Sequence, residues 1–247
     1  ICYNNAGTIK DTIESVRAQD YKDIEYIVVD GGSTDGTIDI IKNNQEVISQ
    51  WISEPDEGLY DAMNKGFKMA SGDIIGILNA DDFFYNGKII STIADAFNKH
   101  TIDAIFGDII FISDIDKNKV IRYYSAKNWH PGKFVWGYMP PHPSFFAKRI
   151  LYQKYGLFKT DYKIAADYEL LIRFLKVNKI AYKYLPLITT KMRMGGASTK
   201  GIKSNYVLNK EIIRACRENG LKTNFFKVYS KYFFKVFELI KRNNSLT

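Results

Sequence analysis

Short apolar runs alternate along the first two thirds of the chain with stretches in which apolar residues recur every three or four positions. The run Ile24–Asp30 is rich in β-branched residues and ends at Gly31 and Gly32, which predicts a buried strand followed by a turn. Amphipathic helices are predicted before it, over Thr8–Arg17, and after it, over Thr37–Asn43. The alternation predicts an α/β fold with a mostly parallel sheet flanked by helices.

A second unit repeats this pattern, with a helix over Leu59–Ala70 and a strand over Ile74–Leu78. That strand delivers Asn79, Asp81 and Asp82 at its carboxyl end. Beyond it, a small antiparallel extension is predicted from strands at Ala104–Gly107, Ile109–Ser113 and Lys119–Tyr124. The remaining predicted elements are helices at Lys88–Asn98, Lys148–Tyr155 and Asp167–Asn178, strands near Ala181–Met192 and two terminal helices, whereas Trp129–Pro143 fits no regular element.

The length of 247 residues suits one core, so we divide the chain into an α/β domain over residues 1–199 and a helical tail over 200–247. The only cysteines, Cys2 and Cys216, are far apart in sequence and indicate neither a disulfide scaffold nor a zinc site, which favours the reducing cytoplasm. No spanning segment or signal peptide is visible. The chain begins at Ile1, and we expect that upstream residues, including part of the first strand, precede it.

The net charge of +8 is concentrated at the carboxyl end of the chain. From Lys200 onward there are 11 Lys and Arg residues against 3 Asp and Glu residues, so the remainder is neutral. A nucleic-acid binder is disfavoured because the positive charge does not spread over the predicted cleft.

Two acidic turns are predicted at carboxyl ends of strands, where ligands bind in open α/β sheets. Asp30 begins the first turn, and glycines after it permit close approach of a ligand, although these residue types also favour turns for local reasons. In the second turn, Asp81 and Asp82 repel each other unless a cation relieves them, which predicts a Mg²⁺ or Mn²⁺ site shared with a diphosphate. The alternative is an acidic cap of the following helix.

Five motifs in order resemble glycosyltransferase family 2, and especially bacterial members that build O-antigen, capsule or other surface polysaccharides. They cover about residues 1–195 and read Tyr3-Asn4, VVDGGSTDGT at Val28–Thr37, EPDEGLYDAMNKG at Glu54–Gly66, SGDIIGILNADD at Ser71–Asp82 and ADYEL at Ala166–Leu170. The resemblance implies the GT-A fold, a nucleotide-sugar donor and a divalent metal.

The resemblance also implies roles for individual residues. Asp30 would contact the uracil of a UDP-sugar, with Tyr3, Asn4 and Asp56 on the nucleotide side of the site. Asp81 would bind the metal, and Asp82 would lie beside a sugar.

Two positions depart from the family pattern. Asn79 replaces the first acidic residue of the DXD motif, so an amide joins Asp81 in the metal site. Met63 stands where many members have an Arg before Asn64, and Lys65 is expected to substitute for it in part at the diphosphate.

Asp167 is the catalytic base by this resemblance, because inverting transfer needs a carboxylate to take the proton of the acceptor hydroxyl. Taken alone, Asp167 would be interpreted as a helix cap, and Glu169 is the competing base. His142 either contacts the donor phosphate, binds the metal or stabilises a turn. Arg193, followed by Gly195 and Gly196, suits a loop over the diphosphate, with an ordinary exposed loop as the alternative.

The tail predicts an amphipathic helix with basic residues beside an aromatic face, which suits an anionic membrane surface. The aromatic face comprises Phe225, Phe226, Tyr229, Tyr232, Phe233, Val236, Phe237 and Ile240. Packing on the domain, or on a second copy in a homo-oligomer, is the alternative.

The sequence thus favours an inverting transferase that moves a hexose or N-acetylhexosamine from a UDP-sugar to a lipid-linked saccharide, peripheral on the inner face of the bacterial membrane. A sugar nucleotidyltransferase would need a Gly-rich phosphate loop near the amino terminus, and none is visible. An inactive nucleotide-sugar-binding module is the other alternative, motivated by Asn79.

Overall fold

The computed structural model describes residues 1–194 and 202–232. The helices are α1 (Ile9–Arg17), α2 (Thr37–Lys42), α3 (Leu59–Met69), α4 (Ile89–Lys99), α5 (Arg149–Tyr155), α6 (Ala166–Leu171) and α7 (Ile202–Glu218). The strands are β1 (Ile27–Asp30), β2 (Gln50–Ser53), β3 (Ile74–Gly76), β4 (Phe83–Phe84), β5 (Ala104–Ile112), β6 (Val120–Tyr124), β7 (Phe146–Lys148) and β8 (Tyr182–Arg193). The predicted helices of the first two thirds are confirmed, with small differences at their ends.

The first residues of the chain join two sheets. Strands β1 and β2 form a parallel pair, and a six-stranded sheet has the order β3-β7-β5-β8-β4 with β6 on β5. Cys2 bridges Asp30 in parallel, while the backbone N–H of Ala80 donates to the carbonyl of Ile1 at 3.1 Å. The segment after β1 and the segment after β3 are thereby brought to the same edge.

The α/β class is confirmed, but the predominance of parallel pairing is not. In the six-stranded sheet only β5 and β8 pair in parallel, and the other pairs are antiparallel. Strand β7 lies between β3 and β5 and runs against both. With three residues, β7 is shorter than the runs from which periodicity is read, so its direction could not be predicted from the sequence.

The two strands predicted at Ala104–Gly107 and Ile109–Ser113 are one strand, β5. It remains continuous because Gly107 fits against β8, where an added Cβ would lie 2.5 Å from the carbonyl oxygen of Leu187. The register with β8 shifts on both sides of Asp108, which accommodates this close approach.

The helix predicted at Asp167–Asn178 is also irregular, since α6 passes into a π-helical segment over Ile172–Val177. The aromatic stretch contains two short 3₁₀ helices, at Pro131–Trp136 and His142–Ser144. Together with α6 they enclose the largest core cluster, in which the fully buried aromatic side chains are Phe106, Phe134, Tyr168 and Phe174. This packing fixes the first turn of α6, which carries Asp167.

Candidate active site

Asp30 ends β1 with a carboxylate that is fully buried and fully hydrogen-bonded. It accepts hydrogen bonds from the backbone N–H groups of Gly32 (3.1 Å) and Ser33 (2.8 Å), from the hydroxyls of Ser33 and Ser53, and from the Cys2 thiol. Burial raises the pKa of Asp30, but these hydrogen bonds outweigh burial and lower it. The carboxylate thus stabilises the turn that follows β1.

Tyr3 and Asn4 lie above that turn. The backbone N–H of Asn4 donates to the Ser33 hydroxyl at 2.7 Å, and the Asn4 side chain accepts from the N–H of Thr34 at 2.9 Å. These contacts hold Asn4 in the left-handed region, at a φ of 52°, which Asn tolerates better than most residues. Tyr3 is 62% exposed and leaves its ring available to a ligand.

The loop after β2 brings Asp56 to the same place. Asp56 Oδ1 accepts the N–H of Gly58 at 2.8 Å. Lys65 ties this loop to α3, because its ammonium group contacts the carbonyl of Pro55 at 2.9 Å and the carboxylates of Glu54 and Asp61. Its role at the diphosphate stays a prediction.

Asn64 makes a buried two-way contact with another segment. Its side chain donates to the carbonyl of Phe158 at 2.9 Å and accepts the N–H of Phe158 at 3.0 Å. This pair of hydrogen bonds joins α3 to the segment between α5 and α6. The contact of Asn64 with the donor stays a prediction.

The segment after β3 and the end of β8 contain buried polar atoms that lack hydrogen-bond partners. Within residues 1–194 and 202–232, the buried side-chain atoms Asn79 Oδ1, Asp82 Oδ1 and Arg193 Nε accept or donate no hydrogen bond. Burial and the neighbouring Asp81 carboxylate raise the pKa of Asp82 well above its ordinary value. Unpaired buried polar atoms are costly, and a bound ligand would satisfy them.

Arg193 is held beside this segment by an ion pair that the sequence did not indicate. Its guanidinium contacts Asp11 of α1, which also binds Lys117 at 2.6 Å. Asp11 belongs to the predicted helix Thr8–Arg17, and no local pattern identifies a partner 182 positions away. The following Gly195 and Gly196 lie outside the described residues.

The donor set fits a hard divalent cation that shares its ligands with a diphosphate. Unpaired oxygens are available from Asn79 and Asp82, and the Asp81 carboxylate acts on Asp82 at close range; Mg²⁺ or Mn²⁺ prefers such oxygens. In the part of the chain that the structure describes, no group of three His, Cys, Asp or Glu side chains forms a complete metal cage. A cation here would therefore need phosphate oxygens or water to complete its coordination.

Asp167 lies in the first turn of α6, with a carboxylate that contacts two side chains. His142 Nδ1 lies 3.2 Å from Oδ2, and the Tyr60 hydroxyl lies 3.5 Å from Oδ1. Burial raises the pKa of Asp167, against the opposing effect of His142. A desolvated carboxylate of raised pKa is a stronger base than an ordinary one, as proton abstraction from a hydroxyl requires. Sequence analysis missed Tyr60, which it included only as part of the predicted helix Leu59–Ala70.

Glu169, the competing base, points into a different environment. Its carboxylate is fully buried and contacts Arg173 at 2.7 Å, Lys159 at 3.0 Å and Asn219 at 3.2 Å. Burial raises its pKa, but these partners outweigh burial and lower it. A carboxylate held by two cations is a poor proton acceptor, so the geometry favours Asp167 as the base.

The first 158 residues match a protein-family model described as "Glycosyl transferase family 2". The chain belongs to this family. An uncharacterized glycosyltransferase of Mycobacterium tuberculosis (strain CDC 1551 / Oshkosh) is 33% identical over 176 residues, covering 70% of the chain and 66% of that protein. The chain thus spans just under two thirds of that relative. A PGL/p-HBAD biosynthesis glycosyltransferase of Mycobacterium bovis (strain BCG / Pasteur 1173P2) is 26% identical, covering 85% of the chain and 79% of the relative.

Solved structures share the GT-A fold of this family member. S. aureus TarS 1-349 in complex with UDP-GlcNAc matches with a TM-score of 0.68 and 16% identity, over 86% of this chain and 64% of that one. The mannosyltransferase PcManGT from Pyrobaculum calidifontis, in complex with GDP-Man and Mn²⁺, matches with a TM-score of 0.63 and 16% identity, over 100% and 81%. At these identities the likeness establishes the fold.

Proposed function

We propose that this family 2 glycosyltransferase is an inverting, metal-dependent enzyme that moves a hexose or N-acetylhexosamine from a UDP-sugar to a saccharide acceptor. The observation that carries the proposal is the buried, unpaired set of Asn79, Asp82 and Arg193 atoms at the sheet edge, on the same domain as the desolvated base Asp167. The fold class to which TarS and PcManGT belong supports it, since those two proteins were solved with UDP-GlcNAc and with GDP-Man and Mn²⁺.

We assign the parts of the proposed reaction to different residues of the chain. Asp81 and Asn79 would hold a divalent cation, which would supply positive charge to balance that of the diphosphate. Arg193 and Asp82 bind donor groups through the atoms that lack protein partners. Asp167 accepts the proton of the acceptor hydroxyl as that oxygen attacks the anomeric carbon.

His142 serves this step through Asp167. Its Nδ1, 3.2 Å from the carboxylate, stabilises the ionised form and fixes the orientation of Oδ2. This contact supports a positioning role for His142 over the predicted contact with the donor phosphate.

The acceptor is proposed to be lipid-linked and presented at an anionic membrane surface on the cytoplasmic side. Helical residues 225–232 turn Val228 and Lys231 inward, while Phe225 is 51% exposed and Phe226 83% exposed. Lys227 lies 5.6 Å from the ring of Trp136, which is itself partly exposed. Exposed aromatic side chains beside lysines suit a lipid interface. The rest of the predicted face lies outside the described residues, namely Phe233, Val236, Phe237 and Ile240. Within the described residues, no helix is long and apolar enough to span a membrane.

The donor class is tested by calorimetric titration with UDP-, GDP- and dTDP-sugars, with Mn²⁺ or with chelator. Binding of one UDP-sugar that is lost with chelator is the expected result. A folded protein that binds no nucleotide-sugar would contradict the proposal, and binding without release of UDP when acceptor lipids are added would favour an inactive module.

The membrane surface is tested by partitioning onto vesicles that contain anionic phospholipid. Phe226→Ser is expected to lower the bound fraction, whereas Ile150→Ser, which removes another solvent-exposed apolar side chain, on α5, is the control. Equal partitioning of the wild type and both variants would remove this part of the proposal.

A further inference from the structure

A cleft lies at the carboxyl end of α3, away from the proposed donor site. Helix α3 begins next to the loop that carries Asp56, and its 11 residues make it roughly 16 Å long. At its far end the helix borders a cleft of about 460 Å³, a size typical of sites for small organic molecules. The walls of this cleft include Phe67, Lys68, Arg149, Tyr152, Gln153 and Leu157. The cleft therefore shares no residue with the donor and base groups described above.

The walls of the cleft are held by contacts within the protein. The chain turns at Gly156, with a φ of 88°, and the Arg173 guanidinium fixes this turn. It donates to the carbonyl of Gly156 at 2.7 Å and to the carbonyl of Leu157 at 2.9 Å. On the α3 side, the ring of Phe67 packs on the ring of Tyr152, with centroids 4.2 Å apart. The cleft is thus formed by the folded core without a ligand.

Tyr152 brings to the cleft a hydroxyl that the protein does not use. The residue is 4% exposed, and burial is the one influence that raises the pKa of its hydroxyl. Within residues 1–194 and 202–232 this hydroxyl makes no hydrogen bond. A buried polar group without a partner costs free energy, and a ligand in the cleft would recover that cost.

Two cations line the same cleft, and in the part of the chain that the structure describes neither pairs with a carboxylate. Arg149 donates from Nε to the carbonyl of Gly72 at 3.0 Å, and Lys68 is exposed on the last turn of α3. The neighbouring carboxylate, Glu25, is already held by the N–H groups of Ser71 at 2.8 Å and Gly72 at 3.0 Å. The terminal nitrogens of an arginine match the oxygens of a phosphate, and a lysine adds a point charge.

We infer that this cleft is a second ligand site, which binds a sugar phosphate. The phosphate accepts hydrogen bonds from Arg149, Lys68 and the Tyr152 hydroxyl, which are all donors to an anion. The exposed amide of Gln153 both donates and accepts, as sugar hydroxyls require, and Leu157 provides an apolar surface for the C–H groups of the sugar ring. This site lies beyond the proposed transfer reaction and does not depend on it.

The test measures binding of glucose 6-phosphate to the intact protein by calorimetry, with inorganic phosphate and glucose as the comparison ligands. Glucose 6-phosphate carries no nucleotide and no phosphate on its anomeric carbon, and chelator keeps the proposed metal-dependent donor site unloaded. It is expected to bind at least tenfold more tightly than either comparison ligand, because only glucose 6-phosphate contacts both the cations and the sugar-binding wall.

Three variants locate the site. Tyr152→Phe keeps the ring packing and removes one hydrogen bond to a charged group, so it should weaken binding roughly tenfold. Lys68→Gln removes an exposed charge and should weaken binding about threefold. Lys154→Gln removes an exposed charge from α5 outside the cleft and should keep the wild-type affinity. Circular dichroism and the melting temperature establish that each variant is folded.

Three results would overturn the inference. The first is a folded wild type that binds glucose 6-phosphate no more tightly than inorganic phosphate. The second is unchanged affinity in Tyr152→Phe. The third is an equal loss in Lys68→Gln and Lys154→Gln, which would show attraction to surface charge in general and no defined site.

Discussion

Asp167 and Glu169 lie two residues apart on α6, yet they face two different regions of the molecule. Around Glu169, Arg173 and Lys159 provide permanent positive charge, and Asn219 adds a hydrogen bond. Around Asp167, the one ion-pair partner within the described residues is His142. Two carboxylates with nearly the same backbone setting thus have pKa values that move in opposite directions.

This contrast distinguishes carboxylates that stabilise the fold from carboxylates that are available for chemistry. Buried charges in the first group are paired, because an unpaired buried charge is costly. Carboxylates of the second group are buried without a permanently charged partner, so the free-energy cost of their burial is not offset. Asp167 is one example, and Asp82, beside the unpaired oxygen of Asn79, is another. Asp30 resembles Glu169 in this respect, although its partners are neutral donors.

The largest effect is expected from Asp167→Asn. Loss of a general base should lower the transfer rate by about a thousandfold, while donor affinity stays within about twofold because the amide keeps the shape of the site. Transfer rate and calorimetric affinity are measured on the same sample. Asp161→Asn, which removes an exposed carboxylate in the loop before α6, is the control. A wild-type rate in Asp167→Asn would exclude it as the base.

Glu169→Gln should act on stability instead of chemistry. Leaving Arg173 buried without its carboxylate should lower the free energy of unfolding by about 3 kcal/mol, as judged by urea denaturation. The transfer rate per folded molecule should stay near that of the wild type. A large loss of rate in fully folded Glu169→Gln would break the distinction between the two regions.

His142→Gln should change the pH dependence of transfer. The positive charge of His142 lowers the pKa of Asp167, so its removal should raise that pKa further. Because the base must be ionised, the acid limb of the pH–rate profile should move to higher pH. A profile that falls in amplitude without moving would assign His142 a purely structural role.

Glu218→Gln should give the smallest effect. Burial raises the pKa of Glu218, but hydrogen bonds from Lys159, Arg214 and Tyr162 outweigh burial and lower it from 4.5 to about 2. The side chain is partly exposed, so the pairing should contribute at most about 1 kcal/mol at neutral pH. That stability is fully present above pH 4.5 and is lost as the pH falls towards 2, so thermal denaturation of the variant and the wild type should converge there.

Much of the site could be predicted because it depends on local patterns. Asp81 and Asp82 follow an apolar run, and Asp167 opens an amphipathic helix, so their places at a strand end and a helix start were visible in the sequence. The ion pair between Arg193 and Asp11 joins residues 182 positions apart, and nothing in either neighbourhood indicates it. The same is true of the contact between Tyr60 and Asp167.

The sequence also did not show which side chains already have hydrogen-bond partners within the protein. Asp30 and Asp56 lie at or after strand ends and both belong to family motifs. Only the folded structure shows that both oxygens of Asp30 accept hydrogen bonds, whereas within the described residues Asp56 accepts one at Oδ1 alone. The direction of β7 was hidden for a related reason, since strand pairing is decided by the whole sheet and not by a run of three residues.

The contrast between Asp167 and Glu169 is tested most directly by an NMR titration of the carboxyl carbons in the intact protein. Asp167 should titrate above the ordinary value of an aspartate and Glu169 below that of a glutamate. If Asp167 instead titrates below Glu169, its carboxylate is a paired structural group, and the assignment of the base is wrong.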